Sequence, residues 1–148
     1  MNFGTIAAVG DTGQTATATV ATDGVLSVNT SGGTAITAII DNTAATNANI
    51  TIADGANGAQ FNVDIQAVVD PVNGANSFAL AGFQTAFNGD AAPGVSRTAG
   101  TPWTETFDSA FGGGINTLDI GATITTLDPS AAYIDGTYSG GFNVVFSY

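Results

Sequence analysis

Residues 60–69 read Gln-Phe-Asn-Val-Asp-Ile-Gln-Ala-Val-Val. Phe61, Val63 and Ile65 fall on one face of an extended chain, and Asn62, Asp64 and Gln66 fall on the other. That period of two marks a strand with one buried and one solvated face. The same alternation recurs outward in both directions. Residues 13–21 put Thr15, Thr17 and Thr19 opposite Ala16, Ala18 and Val20. Residues 117–127 put Leu118, Ile120, Ala122 and Ile124 on one face. The final run, 136–148, aligns Tyr138, Phe142, Val144, Phe146 and Tyr148. Residues 34–40 and 48–53 are shorter β-branched runs.

Turn chemistry separates these runs. Asp23-Gly24, Asp54-Gly55, Asn57-Gly58, Asn73-Gly74, Asn88-Gly89 and Asp135-Gly136 favour turns of positive φ. Pro71, Pro93, Pro102 and Pro129 are read as sitting between strands. No stretch repeats apolar residues at helical spacing. Short strands with dense turns predict an all-β fold, an antiparallel β-sandwich, as a single domain over residues 1–148. The least patterned stretch, 88–101, is predicted to be one long loop with a hairpin beside it.

Composition removes most chemistry. The chain has twelve Asp and Glu against one base, Arg97, with no Lys, His or Cys, for a net charge of -11. A Ser-His-Asp triad, a Cys-His pair and a His/Cys zinc site are excluded. So are a Schiff-base lysine, a phosphate-binding lysine loop and a lysine isopeptide cross-link. One arginine makes no phosphate-binding patch, and the net charge repels nucleic acid and anionic lipid. Charged residues are 9% of the chain, against about 25% in an average soluble domain. Polarity resides in Thr, Asn, Ser and 20 Gly. A surface without Lys suits a protease-rich extracellular setting, and the expected location is extracellular or at the cell surface. The opening residues, MNFGTIAAVG, have no basic region or apolar core of a signal peptide, so a secreted chain would here be a mature form. No run reaches ~18 apolar residues, and no membrane span is expected.

Candidate chemistry is sparse. Glu105 and Asp108 are the acids beside Trp103, but positions i and i+3 of a strand point to opposite faces, which argues against a glycosidase pair. No enzymatic activity is expected. Asp54-Gly-Ala-Asn57, Asp70-Pro-Val-Asn73 and Asn88-Gly-Asp90 offer oxygen ligands for calcium, yet match no calcium-loop pattern and read equally as turns. No cofactor is expected, with calcium the one alternative kept. The Thr15, Thr17 and Thr19 file would suit an ice-binding face only if repeated on adjacent strands; an outward strand face is preferred. Asn29-Thr-Ser31 and Asn49-Ile-Thr51 are glycosylation sequons. Trp103 and the tyrosines support a second functional reading, a secreted module that binds glycans or surfaces.

The two ends of the chain carry a family resemblance. Phe3-Gly4-Thr5-Ile6 opens it, Leu118-Asp-Ile120-Gly121-Ala-Thr123-Ile124 follows late, and Gly136-Thr-Tyr138-Ser-Gly140-Gly-Phe142-Asn-Val144-Val-Phe146-Ser-Tyr148 closes it. In this order the pieces resemble the bacterial pilin-like, spore-coat-U-like fimbrial subunit group and a related family of small secreted β-domains. The sequence departs from the group in lacking cysteines and an extended segment ahead of Phe3. The resemblance implies an immunoglobulin-like, pilin-like sandwich that lacks one strand. It implies a structural subunit of an extracellular filament, assembled by non-covalent strand exchange or edge contacts between identical subunits. A secretion chaperone or a surface ligand would be further partners. Under this reading the subunit-interface candidates are Phe3, Ile6 and Trp103, together with the last face, Tyr138, Phe142, Val144, Phe146 and Tyr148.

Overall fold

The computed structural model describes residues 1–9, 15–30, 36–127 and 133–148, so residues 13–14, Ser31, residues 34–35 and Pro129 lie outside it. Among the described residues eleven strands form, six of them at the alternating or β-branched runs of the sequence. They are β1 (Thr5–Val9), β2 (Ala16–Val20), β3 (Leu26–Thr30), β4 (Ile36–Asp41), β5 (Ala48–Ala53), β6 (Gln60–Asn73), β7 (Asn76–Phe87), β8 (Val95–Arg97), β9 (Trp103–Thr106), β10 (Ile115–Thr126) and β11 (Ser139–Ser147). All named pairings are antiparallel. Among the described residues the only helical turn is Phe111–Gly113.

The strands stack in two layers. In the first, β7 lies between β8 and β10, and the far edge of β10 pairs with β5 over Ile115–Ile120 and with β2 over Ala122–Thr125. β3 lies beyond β2. In the second, β6 lies between β11 and β9. A hairpin pairing Val72 with Ser77 and Asn73 with Asn76 carries the chain from β6 to β7, so both layers belong to one folded nine-stranded sheet. β1 and β4 form a separate two-stranded ribbon.

The inner faces are those the alternation marks. Phe61, Val63 and Ile65 of β6 and Leu118, Ile120, Ala122 and Ile124 of β10 are buried, with Ala18 and Val20 of β2. Ring contacts join the layers: Phe83 meets Phe142 edge-on with centroids 5.1 Å apart, and Phe61 meets Phe87 at 6.0 Å. Each large apolar side chain buried contributes roughly 1.5–3 kcal/mol. The chain is therefore an all-β antiparallel sandwich.

Three local expectations are corrected, and strand β7 forms where the sequence pattern marked none. The central strand β7 has no clean period in sequence. Gly82, at φ 61°, makes a bulge that shifts the register against Gly121–Thr123. Phe78 and Leu80 face the core before it, and Phe83 and Thr85 after it, so an odd spacing hides the strand. Pro71 lies inside β6 rather than between strands. The β6–β11 register is irregular there, between Ser139 and Gly141, and a bulge tolerates the missing N–H. Gly140 lets the two backbones approach at this point: a Cβ on it would lie 2.5 Å from the Val69 carbonyl oxygen. Residues 88–101 are not one loop, because Val95–Arg97 return to pair with β7. Tyr148, expected to face the core, is 96% exposed. It lies beyond Ser147, where the pairing with β6 ends, and has no sheet beneath it.

Candidate functional site

β11 alternates as its sequence requires. Phe142, Val144 and Phe146 pack against the core, while Asn143, Val145 and Ser147 point outward. The inward side chains are nevertheless only half-buried. The cause is topological: among the described residues β11 pairs with β6 on one edge and with no strand on the other. β1 likewise pairs only with β4. A groove of about 1230 Å³ separates these strands, bounded by Met1–Ala8 on one side and by the run from Tyr133 to Val144 on the other. Its floor is the inner face of the first layer, formed by Ala48, Ile50, Phe78, Leu80 and Ile124. Among the described residues that line it, Asp135 is the only one with a charged side chain.

Aromatic rings cluster where the groove meets the start of β11. Tyr133 stacks on Phe78 with centroids 4.4 Å apart, and Tyr138 meets Phe78 edge-on at 5.0 Å. The Tyr133 hydroxyl accepts a hydrogen bond from the Leu127 amide at 2.8 Å and donates to the Ser77 carbonyl at 2.9 Å. It thereby ties the residue after β10 to the second residue of β7. The Tyr138 hydroxyl donates to the Ile134 carbonyl at 3.1 Å, and the surroundings push this phenol above its ordinary range, chiefly by burial.

The interface candidates divide. Phe3 and Ile6 lie on the β1 side of the groove, and Tyr138, Phe142 and Val144 on the β11 side. Phe146 lies past the groove lining, tilted against Phe61 at 6.1 Å. Tyr148 stands clear of the fold. Trp103 belongs elsewhere. It is 9% exposed, its Nε1 donates to Glu105 Oε1 at 2.9 Å, and the Arg97 guanidinium lies 4.5 Å from its ring centre. Burial and the covering guanidinium correct the expectation of an interface residue and leave no platform for a sugar. Sequence reasoning missed the groove floor, Phe78 and Leu80 above all, because β7 was not visible as a strand. It also missed Tyr133, which no periodic run contains.

Arg97 closes the polar cluster. Its Nε donates to Thr85 Oγ1 at 2.9 Å and its Nη2 to Glu105 Oε1 at 3.2 Å. Burial pushes the Glu105 carboxyl up; the Trp103 hydrogen bond and the Arg97 charge oppose this, and Asp90 adds to it. Asp108 is exposed and caps the Ala110 amide with Oδ1 at 2.8 Å, so the two acids serve separate structural bonds.

Three of the six candidate calcium ligands accept internal hydrogen bonds. Asn57 Oδ1 accepts from the Ser109 amide, Asp70 Oδ1 from the Leu80 amide, and Asn88 Oδ1 from the Thr117 amide. Among the described residues no three His, Cys, Asp or Glu side chains cluster in a metal-binding arrangement. The threonine file does have a neighbour: Thr17 and Thr19 pair in register with Thr125 and Thr123 of β10. The Thr19 and Thr123 hydroxyls bond each other at 2.8 Å, and Thr17 donates to the Asn29 carbonyl. Asn29 and Asn49 of the sequons are both exposed. No helix among the described residues is long and apolar enough to cross a membrane.

No curated protein and no solved structure matches the chain. A family model described as a domain of unknown function (DUF4402) does match it, over residues 1–148, and the chain belongs to that family.

Proposed function

We propose that this protein is a structural subunit of an extracellular, pilus-like filament, in which an extended segment of a neighbouring copy enters the groove between β1 and β11. The observation that carries this reading is the groove itself. Among the described residues β1 and β11 each leave one edge unpaired, and they flank an apolar floor. An unpaired strand edge is a template for strand addition, and neither Pro nor charge blocks this one, because residues 136–148 contain no charged residue and no Pro. An added strand would satisfy main-chain donors and acceptors on the open edge and seat alternate side chains on the floor. Among the described residues the lining carries one charged side chain, the Asp135 carboxylate, which repels an acidic partner and is too little countercharge to select a basic one, so the occupant is a largely uncharged strand. A second copy of this chain, only 9% of whose residues are charged, fits that requirement. Head-to-tail contacts of this kind propagate as an open filament. The low charge, the absence of Lys and the family resemblance support an extracellular setting.

The test is a structure of the assembled material by electron cryomicroscopy, after sedimentation has established that the purified chain polymerises. A strand from a neighbour lying between β1 and β11 is expected. A chain that stays monomeric at high concentration, or a polymer whose groove is empty, overturns the proposal.

A further inference from the structure

We infer that the Tyr133–Tyr138 segment is the end-stop of the groove and sets the register at which a neighbour's strand enters. This inference rests on the strand-exchange reading above and adds a residue-level determinant of specificity to it. The segment lies where four strand ends meet: β10 ends at Thr126, β7 begins at Asn76, β6 ends at Asn73 and β11 begins at Ser139. Three observations make it a fixed wall rather than a movable lid. The Tyr133 hydroxyl is used as both acceptor and donor, on backbone groups at Leu127 and Ser77. Both tyrosine rings rest on Phe78, and the two lie 6.0 Å apart. Gly136 lies against the Asn73 side chain of the β6–β7 hairpin, whose amide nitrogen a Cβ there would displace.

The other direction differs. Past Val144 the groove lining stops, while β11 continues to Ser147 and Tyr148 is almost fully exposed. An entering strand can therefore run off at the Tyr148 end but is halted at the tyrosines. Register matters because side chains of a strand alternate. A slip of one residue would turn every apolar side chain away from Leu80 and Ile124, so an allowed slip is two residues, or about 6.6 Å along the strand. The ring cluster selects among these allowed registers, which composition alone would leave nearly equivalent.

The experiment uses the full chain and reads the polymer by electron cryomicroscopy. In the wild-type polymer the inserted strand is expected to end against Tyr133 and Tyr138. In Tyr133→Ala the strand should advance by two residues and change the subunit spacing by about 6.6 Å. Tyr133→Phe keeps the ring and should keep the wild-type spacing. A wild-type strand that passes over the tyrosines or ends short of them overturns the inference but leaves the groove reading intact, as does an unchanged spacing in Tyr133→Ala. An empty groove in the wild-type polymer overturns both. If Tyr133→Ala does not fold, the wild-type strand end decides alone.

Discussion

Replacing Arg97 by methionine tests how the two layers are joined. The side chain stands on β8, in the first layer, and reaches Glu105 and Trp103 on β9, in the second. Arg97→Met keeps the length and apolar stem but removes one hydrogen bond to Thr85, the contact to Glu105 and the cation over the indole. A hydrogen bond from a charged group contributes roughly 1.5–3 kcal/mol. Stacking on an aromatic ring adds about 0.5–1 kcal/mol at a partly exposed position. Breaking a fully buried pair costs roughly 3–5 kcal/mol. The side chains here are 21% and 17% exposed, so solvent screens part of the interaction, and the terms overlap. A loss of about 2–3 kcal/mol at neutral pH is expected, read as a lower urea midpoint with an unchanged slope.

The dependence on pH follows from Glu105. In the fold its carboxyl titrates above the ordinary value of 4.5, first because of burial. Over the window between those two values the native state holds a proton that the unfolded chain has lost. Stability from this group therefore falls as pH rises through the window and recovers as pH drops. Removing Arg97 extends the window upward, so the cost of Arg97→Met should be largest above it and shrink on acidification. Adding Glu105→Gln to Arg97→Met should recover part of the loss, because it removes the stranded charge while leaving an acceptor for Trp103. A cost under about 0.5 kcal/mol, the ordinary surface range, would refute the reasoning. So would a cost that does not diminish with acid, or a double variant weaker than the single.

Other outcomes are equally direct. Gly140→Ala should destabilise by about 1–3 kcal/mol or more in thermal melts, because the new Cβ meets the rigid backbone of Val69 and Pro71. Phe142→Ala should cost about 1–3 kcal/mol in the isolated chain, below a full core truncation since the ring is half-buried. Tyr148→Ala should change the stability of the isolated chain by less than about 0.5 kcal/mol, since the ring is 96% exposed. Polymer growth, followed by light scattering, should quicken with salt or as pH falls toward 4.1, because a net charge of -11 makes copies repel; growth that rising salt abolishes would show that ion pairs dominate instead.

Alternation by itself determined the β class and the inner faces of β2, β6 and β10, because burial on one side of a pleated strand leaves a period of two wherever pairing is regular. It also oriented Phe142, Val144 and Phe146 correctly. It could not show β7, whose period is broken by the Gly82 bulge, and so could not show the floor of the groove. Nor could it separate a half-buried strand from a fully buried one: the side-chain pattern of β11 is the same whether one edge or both edges are paired. Hydrogen bonding across that edge is a property of neighbours distant in sequence, and only the tertiary arrangement of β1, β6 and β11 decides it. The same holds for Trp103. An aromatic beside acids reads as a platform, and it becomes an internal anchor only when Arg97, from another strand, is folded over it. Where strand ends meet, as at Tyr133, no local periodicity exists, and the fold alone gives that ring its place.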